Sequence, residues 1–381
     1  MVAGEPSGDA LGARLAAELL AADPILDLYG AGGTAMRAAG VRTIIDTAEL
    51  SVMGFAELGR ELGRVLRSFA QLRRELREQT PDLFIPIDFP DFNLPLCRSA
   101  RKAGAPVFYY VSPQVWAWRR GRIETIARSV TRMVVLFPFE EEIYRRHGVD
   151  AHFVGHPLAE SVAASRPSGQ TRRELGIDPA ARVLALLPGS RRREVELMLP
   201  PMLEAAKRIG GQSPAGTVPG TVPGTVPVIA EAPSLAPGLV AGVLERLGHK
   251  GVACRRGDTY NLLAASDAAL VTSGTATLES ALVGCPMVVA YRMSAFSYTL
   301  ARRLVKVPYI AMPNLLLGRE VVCELVQEQA GAARMAAEAS VLLGDGERRA
   351  RMLADFEEIR RLLARPGSAR RAAALALELL S

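Results

Sequence analysis

Residues 268–283, AALVTSGTATLESALV, begin with an unbroken apolar run and continue through small hydroxyl residues into a helical pattern. The run Ala268–Thr272 has the length and composition of a buried strand, and Thr275–Val283 is predicted to be a helix. A second buried strand is predicted at Met287–Tyr291. Strand, helix and strand in this order are typical of two parallel strands joined by a helix. This stretch therefore predicts a parallel sheet covered by helices.

Apolar runs and amphipathic segments alternate along most of the chain, which favours an α/β fold. A chain of 381 residues is too long for one typical core, so we expect two domains. The polar segment 160–170, ESVAASRPSGQ, is the predicted linker. We predict domains at 1–160 and 171–345, and C-terminal helices at 346–381 that pack back toward the first domain. Further strands are predicted at Leu83–Ile87, Val107–Val111, Met133–Phe137 and Val183–Leu187, and further helices at Leu11–Leu20, Phe55–Arg77, Ile123–Arg128 and Val195–Ile209.

Two segments depart from this pattern. Residues 216–227 repeat GTVP three times. Because proline interrupts helix and central-strand hydrogen bonding, we predict a surface loop there, followed by a short strand at Val228–Ala230. The first strand has room for only about three residues before the turn at Gly4, so we expect it to form a weak edge of the first sheet.

The composition argues against several classes of protein. No run reaches the roughly 18 apolar residues that span a bilayer, and the start MVAGEPSGD does not resemble a secretory signal, so we expect a cytoplasmic protein. The four cysteines lack Cys-x-x-Cys spacing, and His152 and His156 are separated by Gly155, so neither a disulfide framework nor a metal site is expected. The net charge of +6 indicates a basic surface that could bind anionic lipid or a phosphorylated substrate. The arginines are dispersed and no nucleic-acid-binding motif is present, so nucleic acid is not expected as a partner.

Two polar turns follow predicted strands in the first half. In AGEPSGD (3–9), Gly4 and Ser7 are predicted to bind the substrate, since Gly4 permits close approach of a ligand. Ser7 is also a candidate N-cap, and an ordinary strand–helix turn explains the motif equally well. In IDFPDFN (87–93), Asp91 is predicted to cap a helix that begins near Phe92. Asp88 lies at the strand tip with no helix to cap, so it is a candidate general base.

The segment YVSPQVWAWR (110–119) contains both tryptophans of the chain. Trp116 could line an acceptor cleft, or it could pack the loop against its own domain. Sequence spacing leaves both interpretations open.

Two turns in the second half predict an anion site. In LPGSR (187–191), Gly189 and Ser190 leave backbone N–H groups free, and the guanidinium of Arg191 can bind a diphosphate. In TSGTATLE (272–279), small hydroxyl residues open a helix directly after a strand, which favours anion binding at the helix N-terminus. Helix capping alone is the alternative. The predicted binding residues of this second turn are Ser273, Gly274 and Thr275, with Glu279 one turn later as an acceptor for ribose hydroxyls.

Nine fragments occur in order along nearly the whole chain: AGEPSGDALGA, LSVMGFAE, IDFPDFN, YVSPQVWAWR, FVGHPLAE, LLPGSR, SDAALVTSGTATLE, CPMVVAYRM and MPNLLLGRE. Together they resemble the lipid-A-disaccharide synthases, a family of bacterial glycosyltransferases. The resemblance implies two facing Rossmann-like domains of the GT-B type, with an inter-domain cleft and a helical C-terminal tail. It implies that the first domain binds the acceptor, that the second binds a UDP-sugar, and that no cofactor or metal is needed.

The resemblance also implies a reaction. An inverting transfer moves 2,3-diacylglucosamine from UDP-2,3-diacylglucosamine to 2,3-diacylglucosamine 1-phosphate and yields the β-1,6-linked lipid A disaccharide 1-phosphate and UDP. Asp88 matches the essential aspartate, which we assign as the general base toward the acceptor 6-hydroxyl. Arg191 matches the arginine of the Pro-Gly-Ser-Arg turn and is expected to hold the diphosphate. Asn314 and Arg319 are expected to line the donor site.

Such substrates place the enzyme at the inner face of the inner membrane of a Gram-negative bacterium, as a peripheral protein. Val52, Met53 and Phe55 precede the long basic segment ELGRELGRVLRSFAQLRREL (57–76), which could lie on anionic lipid or receive acyl chains. An ordinary surface helix with a core-facing stripe is the alternative. Two other functions fit the same architecture: a UDP-N-acetylglucosamine epimerase or different UDP-sugar transferase, and a non-catalytic sugar-nucleotide sensor. The presence of Asp88 argues against the sensor.

Overall fold

The chain folds into two compact units in a computed structural model that describes residues 1–50, 58–115, 121–210, 222, 224–249, 251–294, 298, 307–344 and 346–380. Unit 1 comprises Met1–Pro157 and Leu363–Ser381, and unit 2 comprises Leu158–Leu362. Each unit is built on a parallel sheet covered by helices, as the strand and helix alternation predicts. The predicted α/β class with two Rossmann-like sheets is confirmed.

The described elements follow the predicted alternation of strands and helices. The strands are β1 (Val2–Ala3), β2 (Tyr29–Gly32), β3 (Arg42–Asp46), β4 (Pro86–Ile87), β5 (Phe108–Tyr110), β6 (Arg132–Val135), β7 (Asp150–Phe153), β8 (Arg182–Leu187), β9 (Thr225–Glu231), β10 (Ala253–Arg256), β11 (Ala268–Thr272), β12 (Met287–Tyr291) and β13 (Cys323–Val326). The helices are α1 (Pro6–Ala22), α2 (Thr34–Ala38), α3 (Thr47–Leu50), α4 (Leu58–Glu78), α5 (Pro90–Lys102), α6 (Arg122–Ser129), α7 (Pro138–Arg145), α8 (Pro157–Ser161), α9 (Ser168–Glu174), α10 (Arg192–Ile209), α11 (Leu239–Arg246), α12 (Thr259–Ala265), α13 (Thr275–Val283), α14 (Met312–Leu317), α15 (Ala332–Leu343), α16 (Glu347–Leu363) and α17 (Ser368–Leu377). A short 3₁₀ helix spans Gln327–Gln329.

The sheet of unit 1 has seven strands in the order β3-β2-β1-β4-β5-β6-β7. The expectation that β1 forms a weak edge is wrong, because β1 lies inside the sheet. Val2 pairs with Ala31 on one side and with Pro86 on the other. Neighbours on both sides therefore stabilise a strand of two residues.

The last helix of the chain belongs to unit 1. Helix α17 packs against α1, and Ala372, Ala373 and Ala376 share a buried cluster with Leu15 and Leu19. The helices predicted at 346–381 are thus divided between the two units, since α16 lies almost entirely in unit 2. The division between the units falls after Pro157, and helix α9 lies partly within the predicted linker.

The sheet of unit 2 has six strands in the order β10-β9-β8-β11-β12-β13. The end of the GTVP repeat forms part of β9, so the prediction of a loop as far as residue 227 is wrong there. Pro227 pairs with Leu184 of β8, whereas β10 pairs with β9 only from Val228 onward. Proline is tolerated at this position because no strand pairs with it on the β10 side. Most of the repeat, residues 216–221 and 223, lies outside the described residues.

Candidate functional site

Both sheets carry polar loops where the strand order reverses. In each unit the first strand lies between the second and the fourth, so the loops after the first and fourth strands leave the sheet on opposite sides and open a crevice. Ligands of open α/β sheets bind at this point. In unit 1 these loops contain Gly4 and Asp88. In unit 2 they contain the turns at 189–191 and 273–275.

In unit 2 the two loops form a cavity of about 280 Å³. Hydroxyl groups, one guanidinium and two carboxylates surround it, which is a suitable set for a phosphorylated nucleoside. The structure thus brings together every residue that the sequence predicts in the two turns: Gly189, Ser190, Arg191, Ser273, Gly274, Thr275 and Glu279. The remaining lining residues are Leu187, Glu194, Ala230, Ala232, Thr259, Thr272 and Ala276.

Glu194 shapes the first turn of this cavity. Its Oε2 accepts hydrogen bonds from the backbone N–H of Ser190 (3.0 Å) and Arg191 (3.2 Å), and its Oε1 accepts one from Arg191 Nη1 (3.0 Å). Gly189 has φ +116°, and a Cβ there would lie 2.5 Å from Glu194 Oε2, so only glycine fits. The sequence analysis missed Glu194, although a glutamate three residues after an N-cap is a recognised capping signal.

The second turn leaves the N-terminus of α13 without a side-chain cap. Gly274 is the N-cap residue, so the alternative in which Ser273 or Thr275 only caps the helix does not hold. Ser273 Oγ instead donates to the carbonyl oxygen of Ile310 (3.0 Å), and Thr277 Oγ1 accepts from the N–H of Met312 (3.1 Å). The first N–H groups of α13 are therefore available to an anion in the cavity.

Glu279 lies at one wall of the cavity and is held by a residue that the sequence analysis missed. The hydroxyl of Tyr260 donates to Glu279 Oε1 at 2.8 Å. Burial raises the pKa of the Glu279 carboxyl, and the hydrogen bond from Tyr260 opposes that rise. One carboxylate oxygen is thus fixed by Tyr260, and Oε2 can accept from a ligand.

Asn314 and Arg319 do not line this cavity. Asn314 is fully buried, and its side chain bonds to the backbone of Val321 and Val322 and to Glu324. Arg319 forms ion pairs with two acidic residues of α16, at 2.8 and 2.9 Å. Glu324, which the sequence analysis missed, accepts from the N–H groups of Ile310 and Ala311. Asn314 thereby supports the segment that receives the bond from Ser273 rather than facing the cavity.

Asp88 in unit 1 lies in a strained turn at the end of β4. Asp88 and Phe89 have φ values of +46° and +49°, in the left-handed region. Burial raises the pKa of the Asp88 carboxyl, and the nearby charge of Glu5 raises it further, while a hydrogen bond from the backbone of Phe89 lowers it. A carboxyl with a raised pKa at a strand end is suited to accept a proton near neutral pH.

Helices α5 and α1, which follow β4 and β1, do not have the predicted N-caps. Helix α5 begins at Pro90 with Phe89 as its N-cap, so Asp91 lies in the first turn, where it pairs with Arg122. Likewise α1 begins at Pro6, which places the exposed Ser7 inside the helix rather than at its N-cap. In both helices proline occupies the first helical position, which its fixed φ favours.

Gly4 and Asp9 have structural roles in the first turn. A Cβ at Gly4 would lie 2.2 Å from the ring of Phe89, so glycine lets the two loops meet. Asp9, missed in the sequence analysis, is buried and accepts from the N–H groups of Gly33 (2.6 Å), Ala35 (2.9 Å) and Met36 (3.1 Å). It therefore caps α2.

Four predicted acceptor or acyl-chain residues lie outside the described residues: Val52, Met53, Phe55 and Trp116. Farther along α4, Leu72 and Leu76 are buried, and Phe69 packs edge-on against Phe92 of α5 with ring centroids 5.5 Å apart. This half of the helix has the core-facing stripe of an ordinary surface helix.

A groove of about 500 Å³ lies beside the C-terminal halves of α4 and α5. We call it the basic groove. Four cationic side chains line it: Arg73, Arg77, Arg98 and Lys102. All of its lining residues are described, and none of them is acidic.

All four cysteines are free. In the described part of the chain, no three His, Cys, Asp or Glu side chains are grouped so that they could hold a metal ion. Over the same residues, no helix is both long and apolar enough to cross a membrane.

Comparison with known proteins gives matches over nearly the whole chain. A family profile described as lipid-A-disaccharide synthetase matches residues 1–379. The lipid-A-disaccharide synthase of Syntrophus aciditrophicus (strain SB) is 43% identical over 380 residues, which cover 100% of this chain and 97% of that protein. The solved structure of the glycotransferase of kitacinnamycin superposes with a TM-score of 0.60 at 15% identity, covering 99% and 97% of the two chains. A UDP-N-acetylglucosamine 2-epimerase structure gives 0.56 at 13% identity, covering 98% and 92%. At these identities the two structures show a shared fold alone, of the predicted class.

Proposed function

This chain belongs to the lipid-A-disaccharide synthetase family, glycosyltransferases of lipid A biosynthesis, and from that premise we propose the reaction it performs. The donor is UDP-2,3-diacylglucosamine and the acceptor is 2,3-diacylglucosamine 1-phosphate. Transfer with inversion at the anomeric carbon gives the β-1,6-linked lipid A disaccharide 1-phosphate and UDP. The observation that carries this proposal is the cavity in unit 2, where the residues of the two turns converge.

The cavity is the proposed site for the UDP part of the donor. The guanidinium of Arg191 and the uncapped N-terminus of α13 supply positive charge for the diphosphate. The same groups stabilise the negative charge that develops on UDP as the sugar leaves. Glu279, held by Tyr260, accepts hydrogen bonds from ribose hydroxyls through its second oxygen. Arg191 and the helix N-terminus thus share the diphosphate, and Glu279 binds the ribose.

Asp88 is the proposed general base. Its carboxylate takes the proton from the acceptor 6-hydroxyl while the oxygen forms a bond to the anomeric carbon of the donor. The bond from that carbon to the diphosphate breaks in the same step, and UDP leaves on the opposite face. A single displacement of this kind inverts the configuration. The raised pKa of the Asp88 carboxyl supports the role because a base is most effective when its pKa lies nearer the working pH.

The acylated substrates require access to a membrane surface, and we infer peripheral contact with anionic lipid at the inner face of the inner membrane. The basic groove supports this inference, since cations of a surface patch attract anionic headgroups by about 1 kcal/mol each. Leu72 and Leu76 of α4 are buried, and Phe69 is half-buried and packs against Phe92, so these apolar side chains make protein contacts. Contact through this part of unit 1 is therefore expected to be mainly electrostatic.

Product analysis tests the proposed reaction directly. Purified protein is incubated with UDP-2,3-diacylglucosamine and 2,3-diacylglucosamine 1-phosphate, and the products are identified by mass spectrometry. We expect the disaccharide 1-phosphate and UDP in equal amounts, and no turnover without the acceptor. Release of UDP and free sugar without an acceptor would instead indicate the epimerase-like reaction. The anomeric proton coupling of the product, measured by NMR, tests inversion.

A further inference from the structure

The turn that carries Asp88 is strained at consecutive residues. Asp88 and Phe89 are both left-handed, and Val111, at the end of the neighbouring strand β5, has φ +72° although it is β-branched. Residues other than glycine rarely adopt such φ values, and a positive φ persists in them only where the surrounding structure enforces it. The contacts that enforce the conformation of Asp88 can be identified.

Asn93 supplies one set of these contacts from helix α5. Its side chain is fully buried, and Nδ2 donates toward the carbonyl oxygens of Val2 (3.3 Å), Ile87 (3.3 Å) and Asp88 (2.8 Å). These carbonyls fix the orientation of the amide, because reversing it would place Oδ1 against three acceptors. The shortest of the three bonds goes to Asp88.

Tyr109 supplies the second contact, from strand β5. Its ring is fully buried, and its hydroxyl donates to the carbonyl oxygen of Asp88 at 2.8 Å. Burial holds the pKa of this hydroxyl well above its ordinary value, so it remains a neutral donor. The N–H of Asp88 in turn donates to the carbonyl oxygen of Tyr110 at 3.0 Å. The backbone of Asp88 is thus held on both its N–H and its carbonyl side.

We propose that Tyr109 and Asn93 are positioning residues for Asp88. By fixing its carbonyl oxygen they hold the left-handed turn, and the turn sets the direction and the burial of the carboxylate. If the turn relaxes, the carboxylate rotates toward water and its pKa falls toward the ordinary value for aspartate. This proposal rests on the proposed role of Asp88 as the general base.

Tyr109→Phe tests the proposal because it removes one hydroxyl and keeps the ring that fills the core. We expect kcat to fall about ten- to a hundredfold, as misplacement of a catalytic group does, with UDP affinity unchanged. The acidic limb of the kcat–pH profile is expected to move to lower pH. The matched control is Tyr29→Phe, which also removes a hydroxyl that donates to a backbone carbonyl in unit 1, that of Gln79 at 3.2 Å. The control is expected to keep the wild-type kcat and pH profile.

A wild-type kcat and an unshifted pH profile in Tyr109→Phe would overturn the proposal. So would a lower Tm with an unchanged kcat per folded molecule, since that result shows a purely structural role. If this variant does not fold, Asn93→Ser is measured by the same criteria. Asp88→Asn distinguishes the role of the base from the role of the positioning residues. An active Asp88→Asn enzyme refutes Asp88 as the base. An inactive Asp88→Asn enzyme together with wild-type kcat and pH profile in Tyr109→Phe refutes only the positioning.

Discussion

Arg191→Ala removes the guanidinium that we assign to the donor diphosphate, and the structure predicts that the fold will tolerate the change. The side chain of Arg191 is 80% exposed, and it pairs with Glu194 at 3.0 Å. Exposed pairs of this kind contribute about 0–1 kcal/mol to stability. Glu194 Oε2 keeps its bonds to the N–H groups of Ser190 and Arg191, which do not involve the guanidinium. The turn is therefore expected to keep its shape.

The effect of Arg191→Ala on ligand binding is expected to be larger. Hydrogen bonds to charged groups contribute about 1.5–3 kcal/mol. Because about 1.4 kcal/mol corresponds to a tenfold change in Kd, UDP affinity should fall roughly 10- to 150-fold. Isothermal titration calorimetry with UDP measures the affinity, and thermal unfolding of the same samples measures stability.

Arg192→Ala is the matched control for Arg191→Ala. Arg192 is the next residue, its side chain is 76% exposed, and it forms a comparable ion pair with Glu196 at 2.8 Å, but it does not line the cavity. We expect it to bind UDP like the wild type. An Arg191→Ala protein with unchanged UDP affinity would refute the diphosphate role. An equal loss in both variants would show that only general positive charge matters.

Further predictions concern the other groups of the two units. Asp88→Asn is expected to lower kcat about a hundredfold or more without changing UDP affinity. In the wild type, kcat should fall as the pH is lowered through the pKa of Asp88, because the base acts only when deprotonated. That pKa is expected to lie above the ordinary aspartate range. Gly189→Ala places a Cβ against Glu194 and should weaken UDP binding, whereas normal binding would show that the turn can adjust. The double variant Arg73→Glu, Arg77→Glu should reduce sedimentation with vesicles that contain anionic lipid but keep its UDP affinity; unchanged sedimentation would exclude the basic groove from membrane contact.

The strand–turn–helix segments that carry the cavity turns of unit 2 are predicted well because their signals are local, whereas the edge strands β10 and β13 are not predicted. Ala268–Thr272, Thr275–Val283 and Met287–Tyr291 have the predicted bounds. Ser273 and Gly274 separate the first strand from the helix, and Gly284 and Pro286 separate the helix from the second strand. Strand β4 is shorter than predicted. Within Leu83–Ile87, Phe84 forms only an isolated bridge to Val107.

The predictions of Ser7 and Asp91 as N-caps are wrong, and the sequence itself contains the reason. Ser7 and Asp91 are good capping residues in isolation, but each follows a proline that marks the first helical position. Giving the proline more weight would have placed both helix starts correctly. Asn314 is a different case, because its side chain bonds to the backbone of Val321 and Val322 and to Glu324. The segment that Glu324 holds is joined to α13 through Ser273. Nothing in the local spacing indicates that connection.

The same contrast explains why the sequence predicts the cavity in unit 2 more fully than it predicts the environment of Asp88. Each turn of the cavity in unit 2 lies within a single strand–turn–helix segment, so its motif identifies it. The environment of Asp88 is assembled from separate elements, with Asn93 from α5 and Tyr109 from β5 meeting at one carbonyl oxygen. A carboxylate at a strand end is common, and what distinguishes Asp88 is a half-buried, left-handed turn that only the folded chain provides. Motifs therefore indicate the proposed donor site, whereas the conformation of the proposed base depends on contacts between elements that only the structure reveals.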